Sequence, residues 1–445
     1  MKTIAVIFTL VCCLMMFFVK RQTKAAIFIV GAMTLTLVSI PEIPLHNANS
    51  LIPVSFLLSE LTHIKKLLIS LWRVSYLKYS ILIVTISSVI CVLTSPHLLT
   101  PSSEGFVFLR SELLLKYFAI CYAFWAYSNE TSIRQTLKFS LYCLIALTFF
   151  GILNAISGSS YFVNELTIGK TNIHIGDVNL GDVYLDRDRF RVQSMFKNPF
   201  DYGYICSAVL MLHLHCYHRG IEKTSCFCIA AICCLFGIVS CWCRIVWISF
   251  VVALACYYLW TFKLNKMLTI ILASIMLIPL FYYTVPFVQE RIDSLTDIFI
   301  EDSETGGSSM AMRMEQYDAT LENIDEGKIA IGMGYGYFFN DLGWGENERV
   351  DKRLQGLESV VYSYLLERGI VGLALWATFY ILIFFYLIQN RSDYKSITGL
   401  GLSILILYLL FAIGTGELLS LYPTMLLLGY VFKSIEYDKS ALATK

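Results

Sequence analysis

Charge is scarce in this chain. Lys, Arg, Asp and Glu make up 15% of its 445 residues, against about 25% in a soluble domain. The net charge is +1 and no basic tract occurs, which excludes nucleic acid as a partner. The cysteines fall almost entirely inside apolar runs, where a thiol acts as a small hydrophobe. Cys226/Cys228 and Cys241/Cys243 stand one residue apart, but no His or carboxylate cluster completes a zinc site. The long polar segments 157–200 and 286–357 contain no cysteine, which excludes a disulfide framework there. No small-residue cleavage site follows the apolar run that ends at Val19, so we expect a retained first span. No internal repeat is visible, which weakens a transporter built from repeated halves.

What the chain has in quantity is apolar residue, at 57%. It comes in runs of about 15–20 residues, each closed by polar or charged positions, as helices crossing a hydrocarbon core require. The pattern predicts an all-α polytopic membrane protein with 12–13 transmembrane helices in a single membrane domain over 1–445. Spans are expected near 4–19, 25–40, 51–64, 79–95, 105–127, 139–156, 202–218, 224–241, 245–261, 267–285, 366–388, 397–414 and 417–432. The run at 51–64 is the weakest, being short and holding Pro53 and Glu60.

Alternate connections carry eighteen Lys and Arg residues, from Lys20, Arg21 and Lys24 through Arg219 and Lys223 to Lys433, Lys439 and Lys445. The intervening short connections carry one, Arg244. The positive-inside bias makes the basic side, and the C-terminus, cytoplasmic. Segments 157–200 and 286–357 then face outward as two long extracytoplasmic loops, holding 20 of the 33 acidic residues. Loops of that size usually carry function, and their aromatics, glycine turns and the spacing of Tyr317, Leu321 and Ile324 predict order.

Four places bear groups suited to chemistry. Arg187, Arg189, Arg191 and Lys197 run into the Asn198-Pro199 start of a span. Guanidinium groups clustered at a membrane surface suit a phosphate or pyrophosphate; interface anchoring is the alternative reading. Arg244 opposes the orientation bias, either as a functional cation or by snorkelling. Arg313 opens an amphipathic stretch that leads to Gly332-Met-Gly334-Tyr-Gly336. Those glycines lie in no strand-to-helix unit and read as a turn returning the loop to the membrane. Glu358 stands where the large loop meets the next span, as a base for a hydroxyl or as an acid favoured by a helix N-terminus. Glu367 and Arg368 read as structural partners of their neighbours. The spans are nearly free of charge, Glu60, Arg110, Glu112 and Lys116 being the main exceptions.

In this order, from about Arg191 to Gly372, the segments resemble the O-antigen polymerase and O-antigen ligase superfamily. The resemblance is carried by Arg191, Phe196, Asn198 and Pro199 before a span, and by Arg244 at the end of a hydrophobic hairpin. Arg313 on its amphipathic helix, the glycines 332 to 336, and Glu358-Ser359 ahead of Gly369 and Gly372 complete it. Ligase members show His-Asn where this chain has Glu358-Ser359, which favours a polymerase. The resemblance implies a GT-C-like membrane glycosyltransferase bundle in the bacterial inner membrane, with its site on the periplasmic face. Its substrate would be an undecaprenyl-pyrophosphate-linked oligosaccharide in the lipid bilayer. A chain-length regulator is a further implied partner, and no cofactor or metal is expected. Arg191 and Arg244, with Arg313 and Arg189, would hold the pyrophosphate, and Glu358 would deprotonate the acceptor hydroxyl, with inversion at the anomeric carbon. The aromatics Tyr161, Tyr184, Phe190, Tyr335 and Tyr337 would stack on sugars or pack the loops. The alternatives are a ligase acting on lipid A core and a polysaccharide flippase.

Overall fold

The structure is a computed structural model and describes residues 2–36, 38, 48–72, 74–94, 119–127, 130–160, 191–262, 283, 289, 309–337, 351–354, 357, 359–416 and 420–443. The expected span at 267–285 (but for residue 283) and the first part of 105–127 lie outside the described residues, as do Arg189, Glu358, Tyr161, Tyr184 and Phe190.

The protein is an all-α polytopic membrane protein, and no strand occurs among the described residues. In chain order the helices are α1 Lys2–Phe18, α2 Arg21–Thr34, α3 Ala48–Ser59, α4 Ile64–Trp72, α5 Ser75–Thr94, α6 Ala119–Ala126 and α7 Glu130–Ser157. They continue as α8 Pro199–His218, α9 Thr224–Ser240, α10 Arg244–Thr261, α11 Ser309–Glu322, α12 Val360–Gln389, α13 Lys395–Thr415 and α14 Leu421–Ala443. Of these, α7, α10, α12 and α13 are long and apolar enough to cross a membrane; α1, α9 and parts of α3 and α5 are shorter apolar helices.

Helix α7 shows why the solvent must be lipid. One face buries Ile133, Leu137, Ser140, Leu144, Leu147 and Gly151. The other exposes Ile145, Phe149, Ile152 and Ile156, the last at 79%. Each such side chain left in water would forgo about 1.5–3 kcal/mol of transfer free energy, and a patch of this size on a water-soluble monomer is rare. Helix α13 is the axis of the bundle, buried along nearly its whole length and packed against α8, α10, α12 and α14.

The helices alternate in direction, so their ends collect on two faces. On one face the ends of α7, α9 and α13 meet the starts of α8, α10 and α12. At the other, Arg134 at the start of α7 donates to the Ile221 carbonyl after α8 (3.0 Å). There too Trp260 of α10 donates to Thr398 of α13 (3.1 Å), and Tyr386 of α12 donates to Glu436 of α14 (2.8 Å). Basic residues gather at this second face, where Arg391 stacks on Trp260 and Lys433 on Phe124.

Two expectations change. The span at 51–64 ends as a helix at Ser59, and a single turn, Leu61–His63, separates it from α4. Glu60 does not stand inside a span: it closes the helix end, bonded to Lys24 (2.6 Å), Arg21 (3.1 Å) and the Trp125 indole (3.1 Å). The span expected from 366 begins instead at Val360 and is broken at Gly369.

Candidate functional site

The first face brings together three segments far apart in sequence. The Val192 backbone N–H donates to the Ser240 carbonyl at the end of α9 (3.1 Å), joining the Arg191 segment to the turn that carries Arg244. Ser194 donates to the Leu147 carbonyl of α7 (2.6 Å), seating the same segment on the bundle. Across the turn, Ile245 lies against Gly414 of α13, where a Cβ would stand 2.6 Å from its side chain. Arg313 of α11 donates through Nη2 to the Gly414 carbonyl (2.9 Å). Arg191, Arg244 and Arg313 therefore belong to one continuous set of contacts.

The chemistry of this end is positive. Arg244 is the first residue of α10, whose first turn has no acid and whose N-cap, Cys243, turns its thiol to the Cys241 carbonyl (3.0 Å) rather than to the helix start. A helix start already carries unpaired N–H groups and the positive end of the dipole, so a cation there is disfavoured unless an anion joins it. Arg191 is half-buried with its guanidinium 5.9 Å from the Phe200 ring centre. Lys197 is half-buried as well; burial draws its ammonium below the usual lysine range, while the Asp201 carboxylate opposes that shift.

Backbone strain is concentrated in the same place. Among the described residues, the two non-glycine positions with positive φ are Ser194 (51°), in the Arg191 segment, and Trp242 (53°), in the turn before Arg244. Such conformations cost about 1–3 kcal/mol each and persist only where surrounding contacts hold them. Next to Ser194 in the chain is Gln193, 1% exposed, whose amide oxygen and nitrogen have no hydrogen-bond partner among the described residues.

An apolar crevice of about 400 Å³ descends from this region between α1, α2 and α7. Its walls include Phe8, Leu35, Tyr142, Ala146 and Phe150, and Met195 of the Arg191 segment stands at its head.

The glycines at 332–336 do a second job. Helix α12 breaks at Gly369 (φ 62°), freeing backbone groups that a lipid environment cannot satisfy. The loop fills the break. Met333 and Gly334 N–H groups donate to the Leu366 and Glu367 carbonyls (2.9 and 3.0 Å), and Ile370 and Val371 donate to Ile329 and Ala330 (3.1 and 3.0 Å). Gly332 (φ 76°) and Gly369 pass so closely that a Cβ on either would overlap the other's backbone. Glu367 accepts from the Gly336 N–H (3.1 Å), and buried Arg368 stacks on Tyr364 at 4.2 Å. Helix α11 packs above, with Ala319 and Ile324 joining Met333, Leu354, Leu365 and Leu366 in a small core that Leu321 and Tyr337 border. Tyr317 lies outside that face, 39% exposed.

Ser359 is the N-cap of α12: its hydroxyl accepts from the Val361 N–H at 3.2 Å. Sequence reasoning passed over Gln193 and over His213 of α8, which meets Glu222 beyond the helix end (2.7 Å) and Ser140 of α7 (3.0 Å). A glutamine in a polar segment carries no sequence signal of burial; a histidine inside an apolar run does.

No group of three or more His, Cys, Asp or Glu residues that could hold a metal occurs among the described residues. No curated protein matches the chain. Residues 229–377 match the family model described as O-antigen ligase. The matched third contains Arg244, Arg313, the glycine turn and the break in α12, and it supports the O-antigen polymerase and ligase superfamily. It does not separate polymerase from ligase.

Proposed function

From this similarity over residues 229–377, we propose that the protein is a polysaccharide polymerase. It would transfer an undecaprenyl-pyrophosphate-linked glycan to the terminal sugar hydroxyl of another lipid-linked repeat unit, at the outer face of the inner membrane. The observation that carries the reading is the joining of the Arg191, Arg244 and Arg313 segments beside an apolar crevice headed by Met195. A pyrophosphate needs fixed cations and an isoprenoid needs an apolar path into the bilayer. Here the two requirements meet in one segment.

Arg191 and Arg244 would bind the pyrophosphate and stabilise the charge that develops as it leaves. Arg313, which donates one of its five N–H groups to Gly414, would add its charge to the same edge. Arg189 would extend the same basic edge. Glu358 would take the proton of the acceptor hydroxyl as it attacks the anomeric carbon, with inversion through an oxocarbenium-like state. The leaving pyrophosphate would depart on its lipid. Arginines supply the charge in this scheme, so it proceeds without a metal. A chain-length regulator would act on the assembled enzyme.

The description of the matched family favours a second reading, a ligase that moves finished glycan onto lipid A core. The glutamate in place of a histidine at 358 argues for the polymerase. A deletion strain separates them. Loss of a polymerase leaves single repeat units on the acceptor, and loss of a ligase leaves none. Purified protein with a synthetic undecaprenyl-pyrophosphate repeat unit should yield a product ladder on a gel; no elongation in that assay would overturn the proposal.

A further inference from the structure

A cavity of about 270 Å³ opens on the second face of the bundle, at the end remote from Arg191, Arg244 and Arg313. It lies where the start of α7, the end of α8, the start of α13 and the end of α14 converge. Its polar wall comprises Arg219, Lys433, His215, Tyr430, Ser434 and Tyr437; its apolar wall includes Ile133, Ile221 and Ile397. At roughly 30 Å³ per water, it has room for about nine waters, more than a bare ion needs.

The charge at this cavity is unbalanced. One carboxylate lines it, Glu130, and that group is held by Arg134 through two N–H donors (2.6 and 2.9 Å). The neighbouring Glu222 pairs with His213 through one oxygen (2.7 Å), and Glu436, which accepts from Tyr386 (2.8 Å), acts on Lys433 by its charge from beyond salt-bridge distance. Neither Arg219 nor Lys433 reaches a carboxylate at salt-bridge distance among the described residues, and Lys433 is instead stacked on Phe124 (4.7 Å). Arg219 is exposed at the mouth, and Tyr437 is 55% exposed beside it.

We propose that this cavity is a binding site for a phosphate group, distinct from the proposed donor site and independent of the polymerase reading. Two cations, one just past the end of α8 and one on α14, share a wall with hydroxyl groups and offer charge-assisted hydrogen bonds to phosphate oxygens. Basic pockets between membrane helices are a known way of holding anionic headgroups. The apolar wall would take the glycerol and the first methylenes of a phospholipid. The same phosphate chemistry could also come from a soluble phosphomonoester.

The test uses full-length protein, delipidated in a neutral detergent, with thermal unfolding followed by tryptophan fluorescence. Phosphatidylglycerol, phosphatidylethanolamine and glycerol phosphate are titrated in turn. Phosphatidylglycerol should raise the midpoint saturably, with at least a tenfold weaker apparent affinity in the Arg219→Gln/Lys433→Gln variant. Arg391→Gln, at the same face but outside the cavity, should bind as wild type does. An equal response to glycerol phosphate assigns a soluble ligand; a response to phosphatidylglycerol alone assigns a lipid. No saturable shift with any of the three phosphate compounds, or an unchanged affinity in the double variant, overturns the site. Should the double variant fail to fold, Arg219→Gln alone, at an exposed position, is compared with wild type by native mass spectrometry. Equal retention of phosphatidylglycerol there counts equally against the proposal.

Discussion

The Arg313 guanidinium donates to the Gly414 carbonyl at 2.9 Å, so a helix of the large polar loop is anchored to the end of the central membrane helix α13. Because Gly414 also packs against Ile245, the position of α11 is coupled to that of Arg244. Arg313→Ala should loosen α11 and lower activity together. A hydrogen bond from a charged donor contributes about 1.5–3 kcal/mol. Arg313→Lys, which keeps the charge and one donor, should recover part of both. Proteolysis of the loop and the length of the product ladder measure the two effects separately.

Arg191→Ala and Arg244→Ala should each abolish chain elongation while membrane levels stay normal. Neither side chain contributes to the buried core, so stability should change by less than about 1 kcal/mol. Wild-type product lengths in both variants would remove the pyrophosphate role.

Gln193→Leu should act in opposite directions on stability and activity. A buried amide with unmet hydrogen bonds costs about 1–3 kcal/mol, and leucine removes that cost at similar volume. The unfolding midpoint should rise. If the amide awaits a substrate oxygen, the ladder should shorten at the same time. A stabler variant with full activity would make Gln193 a packing residue.

Gly332→Ala should destabilise by more than about 3 kcal/mol, the sum of a left-handed conformation and the loss of bonds that fill the break in α12. Gly220→Ala is the control. Its φ is similar, at 67°, but nothing lies within 4 Å of the added carbon, so only about 1–2 kcal/mol is expected. Thermal unfolding in detergent compares them.

The loop fold should loosen in acid. Arg353 holds the Asp351 carboxyl below the usual aspartate range, chiefly through their hydrogen bonds, with Asn323 adding another. A depressed folded-state pKa contributes stability above the unfolded value of about 3.9 and loses it as pH falls through the folded value. Protease resistance of residues 309–337 should therefore drop below about pH 4. Asp351→Asn should be less resistant at neutral pH and lose this acid dependence.

Much of the site was legible before folding because its residues defy their surroundings. Arg244 is a cation in a connection that otherwise lacks them, and Arg191 precedes a span start marked by Asn198-Pro199. The glycine spacing at 332–336 announced a turn, but its partner could not be read. Gly369 marks in sequence only the start of an apolar run after Glu367-Arg368, and only a loop that donates and accepts there reveals the break. Glu60 looked like a charge inside a span for the same reason: Lys24 and Trp125, which neutralise and cap it, are 36 and 65 residues away.

Hydrophobic run length and the sidedness of Lys and Arg were sufficient to specify a helical membrane protein and its alternating connections, because lipid permits few backbone solutions and charges cross it poorly. Tertiary packing alone decided that three arginine segments share one end, that the loop repairs α12, and that Arg219 and Lys433 face one cavity. Those pairings depend on contacts between residues tens to hundreds of positions apart, for which periodicity along the chain carries no information.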